Sequence, residues 1–533
     1  MAVSGVGRIS PKRSRSVLPP SWRGGLDSMA WVPEAVWARI GPSPFSRRSS
    51  IGVWRSSGAL PAGGLTQLGY GIERGLAPIF HGRYYEGSGE CPKRSGRMLT
   101  RAESELICRV GPGTGMGAAM RRYWLPAVSS AELREPGGDP VHVELLGEHF
   151  VAFRDSEGRV GLLDEACCHR GASLLLGRVE GCGIRCIYHG WKYAVDGKVL
   201  ETPNVPDAKF KDRIRARAHP VREAGGLIWT YLGPADLQPR FPEWPWMNVD
   251  SSHRINAMAL LTCNYLQVME GLVDSSHLSV LHISPLSQAG QSELDFARKT
   301  EHMAFDAAPR IEAETTDFGF HYVALRDIAS PEGRRVEARV AAFIAPCFIA
   351  NPNGDLFFAI VPVNDVVCRF YHVWWNCERK IGEEPLRSEQ LKFVGLDDEA
   401  LARHGMTPAT VSTQLRPSRE NRWHQNRELL RRGHFTGLYS FTQEDMAVSV
   451  SGGAIRDRTK EMLSISDIAI GRLYRVLLNT AKRVTDGQAP IGVEANTQAI
   501  VGASGTLPPG VHWHTLVPTH RVQRGADATE SVA

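Results

Sequence analysis

The chain is 533 residues long, 42% hydrophobic and 22% charged, with a formal net charge of +5. That length, beyond the roughly 250–300 residues at which single cores stop growing, implies more than one domain. No apolar run approaches the ~18–20 residues of a membrane helix, and ten cysteines in so long a chain do not make a disulfide scaffold. The positive charge sits in residues 1–97, which carry about nine more basic than acidic groups. The remainder is mildly acidic and offers no basic face for nucleic acid.

Residues 1–97 are rich in Arg, Ser, Gly and Pro and show no sustained period of 2 or 3.6. They read as a basic low-order extension, native or read through from an early start codon, against the alternative of a targeting segment. Met98-Leu99-Thr100 makes a natural start and opens a helical segment over 98–122. Residues 123–236 read as a small all-β domain. Apolar and polar residues alternate over 141–146 and 150–154, and 226–232 is a further strand ended by Gly233-Pro234. Residues 155–158 and Asp196-Gly197 supply hairpin turns. The Pro- and Trp-rich stretch 241–248 reads as a linker. A second domain is expected over 237–486. It opens with a helix at 262–282 and continues with strands at 318–326, 339–349, 356–363 and 369–376. It closes on a helix at 465–485, where Ile470, Leu473, Tyr474, Leu477 and Leu478 recur at helical spacing. Residues 487–533 read as an irregular tail.

Four cysteines, Cys167, Cys168, Cys182 and Cys186, fall within twenty residues of the β domain. The other six (Cys91, Cys108, Cys263, Cys347, Cys368 and Cys377) are scattered, and most of them read as buried, unpaired core residues of a protein from a reducing compartment. Within the cluster, Cys167-Cys168-His169 and Cys186-Ile187-Tyr188-His189 give Cys-x-His, sixteen residues, then Cys-x-x-His. A common zinc finger pairs Cys with Cys and then His with His. In a Rieske [2Fe–2S] centre two thiolates hold one iron and two imidazoles the other, so each loop donates one of each. Neutral imidazoles raise the potential to roughly −150 to +300 mV. Gly171 and Gly190 permit the tight backbone on which amides approach the sulfides. A zinc site is the competing reading. With the flanks His169-Arg170-Gly171-Ala172 and Tyr188-His189-Gly190-Trp191-Lys192-Tyr193, the segment resembles the Rieske domain of ring-hydroxylating oxygenases. The respiratory-chain type carries two further loop cysteines where this chain has Ala172 and Tyr188. Cys168 departs from the family, which has proline there, and is read as a packed small hydrophobe rather than a mobile, oxidisable one.

Downstream, Asp274, His277 and His282 form Asp-x-x-His-x4-His. Asp274 and His277 are spaced i, i+3 and would share one helix face. His282 lies about 140° further round an ideal helix than His277, so both imidazoles reach one metal only if the helix kinks, widens or ends between them. Two histidines and a carboxylate make the facial triad of non-haem Fe(II) oxygenases. The spacing resembles the mononuclear iron motif of the same family. That resemblance implies His277 and His282 as ligands and Asp274 as the acidic bridge from a neighbouring subunit's cluster. Gln443-Glu444-Asp445-Met446-Ala447 resembles the segment that supplies the third ligand, with Asp445 the matching residue and Glu444 and Asp457 its rivals. Asn264 matches a position near the iron and is left outside the ligand set.

Arg109 to Gly117, Arg121 to Ala127 and Ser451 to Thr459 are similar to the phthalate dioxygenase-like subgroup. The resemblance, over about 98–486, implies an α+β chain: an N-terminal all-β Rieske domain, then a helix-grip catalytic domain whose antiparallel sheet is flanked by helices. It further implies a [2Fe–2S] cluster, a mononuclear Fe(II), and the hydroxylation or O-dealkylation of an aromatic substrate, such as a phthalate or benzoate, with O2. A cytoplasmic homotrimer fed by a flavin- and iron–sulfur-containing reductase is expected. The chain has neither a Gly-x-Gly-x-x-Gly fingerprint nor plant-type ferredoxin spacing, so its electrons come from that partner. The rival reading is a Rieske electron carrier whose C-terminal domain only binds a ligand or partner.

Overall fold

The computed structural model describes residues 99–518 except 290–293, 295–296, 298–302, 304–305, 331–332 and 354. They lie in one compact unit, Glu90–Ala533. The extension expected at 1–97, and Cys91 with it, lies outside the described residues. Thr100 opens the first helix: its hydroxyl accepts from the Glu103 amide at 3.2 Å while the Glu103 carboxylate accepts from the Thr100 amide at 2.9 Å. This capping box satisfies donors that the first helical turn leaves unpaired. Helix α1 (Arg101–Cys108) follows, then α2 (Gly115–Met120).

Three small antiparallel sheets come next. One joins β1 (Trp124–Ser129), β10 (Leu227–Tyr231) and β9 (Val221–Ala224). The second is β2 (Val141–Leu145), β3 (Glu148–Arg154) and β4 (Val160–Asp164). The third is β5 (Arg178–Glu180), β6 (Gly183–Arg185), β7 (Lys192–Ala194) and β8 (Val199–Glu201). The stretch 241–248 is no slack linker. Trp244 and Trp246 are buried, with ring centroids 4.7 and 5.2 Å from that of Phe357, so its aromatic side chains fasten the passage to the next sheet.

That sheet is antiparallel and runs β11 (Arg254–Leu261), β17 (Cys368–Trp375), β16 (Leu356–Pro362), β15 (Phe348–Ala350), β14 (Gly333–Ile344), β13 (Gly319–Ser330) and β12 (Arg310–Thr315). The strand expected over 339–349 is two, because the chain reverses at Ala345-Pro346-Cys347 and β15 folds back on β14, Ile344 opposite Phe348. Proline has no amide to continue a ladder. The tail is also corrected. Residues Ala503–Leu507 form β18, paired with β14 from Val336↔Leu507 to Val340↔Ala503. Leu507, Trp513 and Val517 bury against Val323, Leu325, Ala338 and Val340.

The helices α3 (Tyr265–Val273), α4 (Leu278–Leu281), α5 (Ile283–Ala289), α6 (Leu386–Val394), α7 (Asp398–Arg403), α8 (Arg427–Arg431), α9 (Phe441–Ser451) and α10 (Ile468–Thr485) flank the sheet. This is the expected α+β order. On α10, Leu473, Tyr474, Leu477 and Ala481 are buried, and Tyr474 Oη donates to Glu270 Oε1 of α3 at 2.7 Å. Arg458 donates to the same oxygen at 2.5 Å and Arg456 to Glu270 Oε2. This ionic knot holds α3 in place, and α3 ends where the second site begins.

Candidate metal centres and the cavity beside them

The turns between β4 and β5 and between β6 and β7 are built alike. In the first, the Cys167 amide donates to the Ala172 carbonyl and the Gly171 amide to the Cys167 carbonyl, both at 2.8 Å. In the second, the Cys186 amide donates to the Trp191 carbonyl at 2.8 Å and the Gly190 amide to the Cys186 carbonyl at 3.0 Å. Gly171 and Gly190 both sit at φ +74°, where a Cβ would cost about 1–2 kcal/mol. The turns bring Cys167, Cys186, His169 and His189 together. The two imidazole centroids are 4.5 Å apart, and His169 lies flat on Trp191 at 4.3 Å. Burial, then His189 and Arg170, push the His169 pKa down, which favours the neutral ligand form. Nδ1 of His169 and Nδ1 of His189 are both buried without a hydrogen-bond partner. Leaving such an atom unpaired costs about 1–3 kcal/mol. Two unpaired imidazole nitrogens beside two buried thiols fit a [2Fe–2S] group of the Rieske kind.

Tyr193 Oη is hydrogen-bonded to Cys167 Sγ at 2.9 Å and accepts from Cys168 Sγ at 3.6 Å. Cys168 is exposed rather than packed. It follows a cysteine that points inward, so the backbone turns its own side chain out. Cys108, Cys263, Cys347 and Cys368 are buried and unpaired as expected, whereas Cys377 is exposed.

At the second site, the expected 262–282 helix is broken. Asp274 ends α3, and its Oδ1 accepts from the Ser276 amide at 2.8 Å, the Ser276 hydroxyl at 2.6 Å and the His277 amide at 3.4 Å. This local turn competes with helix continuation, so Asp274 and His277 do not share one helix face. The short α4 then carries His277 at its start and His282 at its end. The helix therefore does end between the two imidazoles, as their angular separation requires, and their centroids stand 5.2 Å apart. Nε2 of His277 and Nε2 of His282 face the same atom, Asp445 Oδ1, at 3.6 and 3.0 Å. Each Nδ1 faces a different carboxylate: His277 has Asp274 Oδ2 at 3.6 Å, beyond hydrogen-bond distance, and His282 has Glu444 Oε2 at 2.7 Å. Thr436 in turn donates to Glu444 Oε1 at 2.5 Å.

The charges follow the geometry. Burial pulls the His277 pKa down, but Asp274 and Asp445 outweigh it and push it up to about 10. His282 moves up for the same reason, through Asp445 and Glu444. Burial likewise opposes the charge on Asp445, yet His282 and His277 hold its carboxyl well below the usual range. A pocket that retains a proton this strongly suits a cation, and His277, His282 and Asp445 have the composition of an Fe(II) facial triad. Of the rivals to Asp445, Glu444 sits behind His282 as its orienting partner. Asp457 caps a turn by accepting from the Thr459 hydroxyl at 2.6 Å. Asn264 is buried and donates to the carbonyls of Cys108 and Asp365 at 2.9 and 2.7 Å, a structural use.

A cavity of about 120 Å³ adjoins this triad. Leu272, Leu356, Phe358, Phe370, Trp374 and Phe441 supply apolar wall, with Tyr322, Asn353 and Arg339 as polar groups. Arg339, on β14, is 3% exposed and donates through Nη2 to Asn353 Oδ1 at 2.6 Å. Burial pulls its guanidinium down to about 10, with Glu337 opposing, so it stays charged at neutral pH. His372 also lines the cavity, and burial depresses its pKa to about 3. Sequence reasoning did not select Arg339. It carries no distinct signal there, because β14 also holds Arg334, Arg335 and Glu337.

The pattern of the Rieske [2Fe-2S] domain matches residues 123–214. The family described as "LigXa C-terminal domain like" matches residues 230–531. The chain belongs to that family, among the phthalate dioxygenase-like Rieske oxygenases, as an oxygenase subunit with a [2Fe–2S] cluster and a mononuclear iron. It is 36% identical to the phthalate 4,5-dioxygenase oxygenase subunit of Pseudomonas putida, over 74% of this chain and 89% of the relative. It is 34% identical to the 3-chlorobenzoate-3,4-dioxygenase oxygenase subunit of Comamonas testosteroni, over 78% and 98%. It is 29% identical to the 5,5'-dehydrodivanillate O-demethylase oxygenase subunit of a Sphingobium species, over 74% and 83%. Such subunits draw electrons from a reductase partner. Among the described residues, no helix is long and apolar enough to cross a membrane.

Proposed function

We propose that the chain oxygenates an aromatic carboxylate in the cavity lined by Arg339, and that the residues named above are its working parts. Cys167, His169, Cys186 and His189 hold the cluster, and His277, His282 and Asp445 hold the iron. When bound, these groups supply electron storage and O2 activation. The observation that carries the substrate class is the buried guanidinium of Arg339, beside Asn353, in a cavity whose wall includes Leu356, Phe358, Phe370 and Trp374. A guanidinium lining a cavity favours an anionic guest, and a carboxylate is the planar anion that it pairs with best. The relatives' names agree, since phthalate, 3-chlorobenzoate and dehydrodivanillate are all aromatic carboxylates. With the carboxylate held by Arg339, Phe358, Phe370 and Trp374 keep water away and present the ring to the triad. Asp274, anionic and beside His277 Nδ1, orients that imidazole and lies on the route of electrons from a neighbouring subunit's cluster. The assembly is a cytoplasmic homotrimer served by a flavin- and iron–sulfur-containing reductase.

The test uses anaerobically reconstituted full-length protein with a phthalate-type reductase, followed by O2 uptake and product analysis on benzoates, phthalates and aryl ethers. About three iron atoms per chain are expected, two in the cluster and one in the triad. His277→Ala loses oxygenation and keeps the Rieske EPR signal; turnover by that variant would refute the iron assignment. Arg339→Met raises KM for the carboxylate by roughly 10–100-fold, the worth of a charge-assisted hydrogen bond. An unchanged KM would refute the carboxylate reading. Sedimentation velocity gives the oligomeric state, and a monomer would refute electron transfer between subunits.

A further inference from the structure

The β2–β3–β4 sheet carries another set of two histidines and one carboxylate, with no part in either iron site. The β2–β3 register sets His142 opposite Val151 and His149 opposite Glu144, which makes the two imidazoles diagonal neighbours on one face. Glu165 directly follows β4, and its amide donates to the His149 carbonyl at 3.1 Å. The three side chains converge as a result. His142 Nε2 lies 3.0 Å from His149 Nδ1 and 3.5 Å from Glu165 Oε2. One donor atom from each residue lies within 4.8 Å of the others.

We propose that His142, His149 and Glu165 form a surface site for a zinc-like divalent cation. A tetrahedral ion with bonds of about 2.0–2.1 Å holds its donors about 3.4 Å apart, and the two measured edges bracket that value. The carboxylate is prepared for the role: Ser173 donates to Glu165 Oε1 at 2.5 Å, fixing the group with Oε2 toward the histidines. That is the outer support that ligating carboxylates receive. The side chain of His142 is 39% exposed, so solvent completes the coordination. The site shares a segment with the first cluster loop, because the Glu165 carbonyl accepts from the Leu174 amide at 2.8 Å and Ala166 bridges to Ser173. A cation there ties β2 and β3 to the base of that loop. A neutral His142–His149 hydrogen bond would explain the 3.0 Å approach without a metal, and experiment separates the two.

Iron-loaded full-length protein is titrated with Zn2+ alone, and retained zinc is counted by elemental analysis after gel filtration. The wild-type protein is expected to keep one zinc per chain that the His142→Ala/His149→Ala double variant does not keep, with iron content and Rieske EPR signal the same in both. Glu165→Gln, which preserves the contact with Ser173, binds more weakly than wild type. The count is repeated in a His277→Ala background, where the surface zinc persists and zinc displacing the mononuclear iron is not mistaken for it. Equal zinc retention by wild type and double variant overturns the proposal, as does a wild-type protein that retains none at micromolar zinc.

Discussion

His277 and His282 each face a carboxylate from both nitrogens, and the two arrangements differ. His282 Nδ1 is bonded to Glu444 at 2.7 Å, whereas His277 Nδ1 stands 3.6 Å from Asp274. Glu444 therefore fixes the orientation of one imidazole, and Asp274 keeps a looser contact with the other. Glu444→Gln should lower iron affinity by roughly 10–100-fold, the usual effect of losing such a partner. Chelator competition would read this, with the Rieske EPR signal unaltered. An affinity equal to wild type would show that Glu444 does not orient His282. The raised pKa of His277, about 10, gives a second expectation. In the iron-free protein the charged His277 adds stability that is fully present below the unfolded-state value of about 6.5 and is lost as pH rises toward 10. A metal must displace that proton, so the affinity of the iron-free protein for Co2+ should climb steadily from pH 6 to pH 9. Calorimetric titration across that range checks it, and a flat profile would contradict the charge assignment.

At the scale of elements, the break between α3 and α4 does the positioning. Asp274 has two separable tasks, closing the turn through Oδ1 and carrying charge beside His277. Asp274→Asn retains an oxygen that can close the turn, so it should keep its iron and its stability while losing turnover. Asp274→Ala should lose about 1 kcal/mol as well, as other side-chain caps do. Chemical denaturation and iron analysis distinguish the variants. The same break marks how far the sequence could be read. The ligand types and spacings at 167–189 and 274–282 were legible because metal chemistry restricts both, and the need for a helix end before His282 follows from 3.6 residues per turn. A further break, at Asp274, went unread although Asp274-Ser275-Ser276 favours a turn over a helix interior. Helix α9, which delivers Glu444 and Asp445, shows no amphipathic period in FTQEDMAVSVS. Strand β18 reads as tail because ASGTL has little apolar content and gains its partner only from the edge of β14. Arg339 stood among many arginines until the sheet turned it toward the cavity.

For the molecule as a whole, the decisive feature is that the β domain does not rest on one core. Its β1 and β10 belong to the large core shared with α1, the main sheet and α10. The two cysteine loops instead sit on a small core of their own, with Phe153, Leu163, Ile184, Trp191, Tyr193 and Val199 beside Cys167 and Cys186. Two of its members are metal ligands in the reading argued above. Unfolding is thereby divided into units of unequal strength. Loss of the cluster should melt 165–201 while β13 and β14 stay closed. Hydrogen–deuterium exchange of cluster-free against loaded protein should show amides of β5 to β8 exchanging much faster, with those of β13 and β14 unchanged. The cluster is in that sense a rivet for one corner of the fold, and its removal leaves a protein that is damaged locally and otherwise intact.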